Sequence, residues 1–96
     1  MTFGFHPEAE KEFIAAVDYY EESQLGLGLD FAREVYAAIT RIIEYPNAWP
    51  KVTLRTRRCL VNRYPYAIIY QVRQSELAII AVANLHRQPG YWKSRS

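Results

Sequence analysis

Two groups of side chains in this chain have the types and spacing to do chemistry. Arg55, Arg57, Arg58 and Arg63 fall close together. Alternate positions of a strand share a face, so Arg55, Arg57 and Arg63 would form a guanidinium row able to match phosphates along a nucleic-acid backbone. Charged protection of a sheet edge uses the same pattern. The second group is the run from Asn84 to Arg95, which holds His86, Arg87, Tyr91, Trp92, Lys93 and Arg95. Interleaved cations and aromatics suit stacking on bases with contact to phosphates. They also suit a protein-binding tail, since Tyr, Trp and Arg are the favoured anchor types. In a purely structural reading, Pro89 to Trp92 folds back and caps the core.

Other chemistries find no support in the residue pattern. His6 and His86 stand without cysteines or carboxylates at ligand spacing, so no metal site is expected. Cys59, mid-strand, reads as a packed thiol. Gly26 and Gly28 read as a helix connector; no strand precedes them and no Lys-Ser or Lys-Thr follows, as a phosphate loop would require. Neither a cofactor nor a small-molecule ligand is expected.

The charge balance sharpens the choice of partner. The net charge of +2 over 96 residues hides a division. Residues 1–48 hold three basic and nine acidic side chains, whereas residues 49–96 hold nine basic side chains and only Glu76 as an acid. A basic half of this kind is either a solvated face or the footprint of an anionic partner. Cys59 has no disulfide mate, and Met1-Thr-Phe-Gly lacks the charged start and apolar run of a secretion signal, so the cytoplasm is the expected compartment. The longest apolar stretch, Leu77 to Ala83, is far short of the ~20 residues of a membrane helix. A chain this short is expected to form one domain over residues 1–96, burying about two thirds of its unfolded surface and gaining from a bound partner.

The elements that must position these residues follow from periodicity. Thr2 to His6 alternates and predicts an opening strand. Pro7 suits the first position of a helix, and Glu8 and Glu10 place negative charge in its first turn. Ala9, Phe13, Ala16 and Tyr20 make the buried stripe of that helix, with Glu8, Glu12 and Glu22 turned to water. After the glycines, Phe31, Val35, Ala38, Ile39 and Ile42 line a second helix that ends near Tyr45, before Pro46. From Val52 to Arg63 the pattern alternates as a strand, with Leu54, Thr56, Arg58 and Leu60 on one side and Arg55, Arg57, Cys59, Val61 and Arg63 on the other. Tyr66 to Val72 and Leu77 to Ala83 predict two more strands, joined through Arg73-Gln-Ser-Glu76. The expected fold class is α+β, in the order β-α-α-β-β-β, with a helical hairpin packed on a curved, mainly antiparallel sheet.

With these pieces in order, the chain resembles the RelE/ParE superfamily of toxins from bacterial toxin-antitoxin modules, also called plasmid stabilisation proteins. The resemblance is carried by Phe5-His-Pro-Glu-Ala-Glu10, Tyr19-Tyr20-Glu-Glu, Gly26-Leu-Gly-Leu-Asp30-Phe31 and Tyr45-Pro46. Arg63-Tyr-Pro-Tyr66-Ala-Ile-Ile-Tyr70 and His86-Arg87-Gln-Pro-Gly-Tyr91-Trp92 with Arg95 complete it. It implies a growth-inhibiting toxin held silent by a cognate antitoxin whose flexible C-terminal part wraps it.

Two mechanisms are implied by that superfamily. RelE-like members cut messenger RNA on the ribosome, activating a ribose 2′-OH; ParE-like members poison DNA gyrase without a known catalytic residue. RNA-cleaving relatives tend to carry an arginine at the position of Ala67 and a cation where Leu85 stands, and losing one preorganised cation typically costs about 10² in rate. The two missing cations imply the ParE-like subtype acting on gyrase. Asn84 is a departure from that subtype, since many ParE-like sequences show a histidine there, and no role is carried over to it. A ribosome-dependent endoribonuclease is the alternative, with His86, Arg87 and Tyr91 as its catalytic residues, and a non-toxic binding module is a third reading. Arg55, Arg57, Arg58, Arg63, Arg87, Tyr91, Trp92, Lys93 and Arg95 are the expected contacts to target or nucleic acid.

Overall fold

The computed structural model describes residues 1–96, as two helices laid on one face of a four-stranded sheet. Strand β1 (Thr2–Phe5) leads into α1 (Pro7–Ser23) and α2 (Leu27–Glu44), followed by β2 (Arg57–Leu60), β3 (Tyr66–Arg73) and β4 (Glu76–Asn84), with a short 3-10 turn at Lys93–Arg95. The sheet order is β1-β4-β3-β2. The meander β2-β3-β4 is antiparallel as expected, and β1 adds to β4 in parallel.

Local chemistry explains the helix ends. His6 caps α1, its Nδ1 accepting the N–H of Glu8 at 3.1 Å, and Pro7 takes the first helical position. Between the helices, Gly26 adopts φ +88° and the Glu21 carboxylate accepts the N–H groups of Gly26 and Gly28, closing the turn. Gly28 does more than turn the chain. A Cβ there would stand 2.6 Å from the carbonyl oxygen of Val17, so glycine sets how closely α2 approaches α1.

The main core lies between helices and sheet. Phe31, Val35, Ala38, Ile39 and Ile42 of α2 are all buried there, with Ala9 and Ala16 of α1, against Cys59, Ile68, Tyr70, Leu77 and Ile79. The phase of β4 shifts partway. Tyr70 pairs with Ile79 and Ile69 with Ala81, leaving Ile80 as the extra residue of a bulge. Ile80 and Ala81 consequently both join the opposite face, while Val82 returns to the main core. On that opposite face a second, smaller cluster forms from Ile69, Ala78, Ile80, Ala81 and Ala83 under Trp92.

The strand expected over residues 52–63 is shorter than its alternation implied. The Thr53 hydroxyl accepts the N–H groups of Arg55 and Thr56, a local turn that competes with the ladder, so regular pairing starts only at Arg57. At the other end Arg63 has φ +69°, outside any strand geometry. No helix is long and apolar enough to cross a membrane.

Candidate functional site

Arg87, Tyr91 and Arg95 of the C-terminal run converge on one carboxylate, and it comes from α1. Strand β1 covers β4 only from Glu76 to Ile79, so the rest of that edge of β4 lacks a neighbouring strand. Glu12 and Arg95 fill the gap. Glu12 Oε1 accepts the backbone N–H of Val82 at 3.1 Å, and Arg95 donates to the carbonyl of Ile80 at 3.2 Å and to Glu12 at 2.9 Å. A parallel strand would bond the two groups flanking Ala81 with one residue; here an ion pair takes that place.

Tyr91 and Arg87 complete the cluster. The Tyr91 hydroxyl donates to Glu12 Oε2 at 2.6 Å, and Arg87 reaches the same oxygen at 3.3 Å. The Arg87 guanidinium also lies over the Tyr91 ring, 3.7 Å from its centroid. Glu12 and Arg95 keep only 14% and 13% of their side-chain surface exposed, so this pair counts as nearly buried. Burial, then the hydrogen bond to Glu12, pushes the Tyr91 hydroxyl well above the ordinary tyrosine range. The hydrogen bond that Arg95 donates to Glu12 likewise raises the Arg95 pKa. Tyr91 is thus held as a neutral donor, a poor state for accepting a proton from a ribose hydroxyl.

This corrects the reading of Glu12 as a water-facing helix residue. Its signal in the sequence was indirect: a first strand much shorter than the strand beside it, and Arg87, Tyr91 and Arg95 spaced four apart as donors with no acidic neighbour. His86 stays exposed, and its backbone N–H is taken by the Asn84 side chain. Trp92 is 5% exposed and roofs the second cluster, so it packs inward, as in the capping reading of this segment.

The guanidinium row does not form. Arg57 lies on the helix side of the sheet with Cys59 and donates to the carbonyl of Trp49 at 2.7 Å, whereas Arg58 points to the other face. Arg63, off the strand, reaches α2 and pairs with Asp30 and Glu34. Tyr64 also donates to Asp30. That hydrogen bond, more than the neighbouring guanidinium, holds the Asp30 carboxyl below the usual range. Arg55 remains exposed beside Lys51 and Arg57 around an open polar cleft of about 430 Å³. Cys59 is buried, and burial pushes its thiol pKa up, which makes it a packed group and not a nucleophile.

Arg58 and Lys93 enter no ion pair and border a pocket of about 220 Å³ on the sheet face away from the helices.

Comparison with known proteins agrees with this architecture. Residues 4–89 match a family model described as the ParE toxin of the type II toxin-antitoxin system, parDE. Among solved structures, a chain of a chromosomal ParDE TA system from P. aeruginosa superposes with a TM-score of 0.77, covering 90% of this chain and 97% of that one at 16% identity. No curated protein is significantly similar in sequence.

Proposed function

This chain belongs to the ParE toxin family of type II toxin-antitoxin systems, and on that premise we propose that it arrests growth by poisoning DNA gyrase until a cognate antitoxin covers it. The observation that carries this choice over RNA cleavage is the engagement of Arg87, Tyr91 and Arg95 by Glu12. A ribonuclease of this superfamily needs a proton acceptor and free cations about the scissile phosphate. Here the tyrosine is a neutral donor, two arginines already have a carboxylate, and Ala67 and Leu85 occupy positions where RNA-cleaving relatives carry cations. Cation and aromatic side chains held rigidly at a protein surface serve contact with a large partner better than proton transfer.

Gyrase supercoiling in the presence of the purified protein tests the proposal, beside messenger RNA integrity on programmed ribosomes. Inhibited supercoiling with intact message is the expected result. Message cleavage with normal supercoiling overturns it in favour of the ribonuclease, and unimpeded growth of cells expressing the protein alone overturns both in favour of a non-toxic binding module.

A further inference from the structure

The pocket on the outer sheet face has a construction that no role above uses. Its floor is a dent where two small residues stand side by side on neighbouring strands, Ala67 of β3 paired with Ala83 of β4. Ile69 and Trp92 wall the dent, and Arg58 and Lys93 stand at its mouth. None of its lining residues is Asp or Glu. Gly90 has φ +81°, a conformation that favours glycine, and the Lys93 side chain lies over the space left by its missing Cβ.

Size and chemistry select the occupant. At about 220 Å³ the cavity lies below the roughly 300–1,000 Å³ of small-molecule sites. It suits one apolar side chain, with negative charge to either side for Arg58 and Lys93. Single-stranded RNA would instead need free aromatic faces for stacking. Trp92 is buried against the sheet and the Tyr91 ring is covered by Arg87, so neither offers one.

We propose that this pocket is an anchor site for the antitoxin, receiving one apolar side chain from an acidic segment of it, whose carboxylates pair with Arg58 and Lys93. The identity of the partner rests on the toxin-antitoxin reading; the gyrase target does not enter.

The test is fluorescence anisotropy with a labelled short peptide carrying one leucine flanked by glutamates. Controls are the same peptide with serine for leucine, the same peptide with lysines for glutamates, and a labelled uridine oligonucleotide. The glutamate-leucine peptide should bind the wild-type protein and weaken at least about tenfold with Arg58→Glu or with Lys93→Glu, as expected for the loss of charge pairs at a desolvated anchor. Both side chains are exposed and unpaired, so both variants should fold. Serine for leucine should abolish binding. Equal binding of the serine or lysine peptide, no response to either charge reversal, absence of binding, or preference for the oligonucleotide each overturns the anchor site. The assay contains no gyrase: supercoiling inhibition without peptide binding defeats this inference alone, and peptide binding without inhibition defeats only the choice of target.

Discussion

At the scale of single residues, the chain concentrates its polar energetics in two carboxylates, both on the acidic helices and both reaching into the basic half. Glu12 accepts from a backbone N–H, a phenol and two guanidiniums. Removing one partner from a nearly buried, hydrogen-bonded ion pair costs on the order of 3 kcal/mol, so Glu12→Ala should lower the midpoint of thermal unfolding by about 10–20 °C. A shift of only a degree or two would mean that water replaces Glu12 at the β4 edge. Alkaline titration reads the phenols. Burial, with the hydrogen bond to Asp30, holds Tyr64 up to about 12, and burial holds Tyr70 there too. Their folded pKa values lie above the ordinary value near 10, so the native state binds these protons more tightly than the unfolded chain. The stability they contribute is complete below pH ~10 and disappears as pH rises through about 12. Phenolate absorbance should therefore show a late-titrating group, diminished by Tyr64→Phe and by Tyr70→Phe, with the denaturation midpoint falling over the same interval. A late group unchanged by either substitution would refute the assignment.

At the scale of elements, Gly28 states a prediction in ångströms. Its missing Cβ leaves 2.6 Å to the Val17 carbonyl, a backbone atom that cannot rotate away. Gly28→Ala must therefore push α2 off α1, losing packing between Phe31 and Tyr20, whose rings lie 5.2 Å apart. Overpacking of this kind typically costs about 1–3 kcal/mol, opposite in sign to the gain of up to about 1 kcal/mol that glycine to alanine gives at an unstrained helix position. Equilibrium denaturation decides between the signs. The same element shows what was legible in the sequence. Both helices could be read because their apolar stripes repeat with helical period and are bounded by Pro7, the glycine turn and Pro46, and the last two strands because they are dense in β-branched residues. Residues 52–55 misled because alternation cannot reveal that a threonine hydroxyl will take the N–H groups the ladder needs. Glu12 was hidden for a different reason. A glutamate on a helix usually meets water, and only the length mismatch between β1 and β4 creates the exposed edge it completes.

At the scale of the molecule, the sheet is covered on both faces by unequal means. The helices bury one side with a fifteen-residue core, while the other side depends on five residues crowned by Trp92, brought there by the same tail that Glu12 fastens. A domain of this length has a total stability of about 5–14 kcal/mol, and deletion of a buried indole costs about 3–5 kcal/mol, so this one side chain carries a large share of it. The two tryptophans can be separated. The Trp49 indole N–H is buried without a hydrogen-bond partner; replacing the ring by Phe removes that unmet donor and offsets part of the lost contact area, so Trp49→Phe should stay folded and leave Trp92 as the sole emitter. In that background Trp92 emission should be blue-shifted and protected from quenching by iodide, and adding Glu12→Ala should shift it to the red, because the residues that hold the tail down all pull on Glu12. Trp92→Ala should bring the unfolding midpoint down by about 15–30 °C. Red-shifted, fully quenchable emission in the otherwise unaltered Trp49→Phe protein would show instead that the tail leaves the sheet in solution, and the outer face would then be a bare apolar surface ringed by Arg58 and Arg73 rather than a closed layer with one pocket.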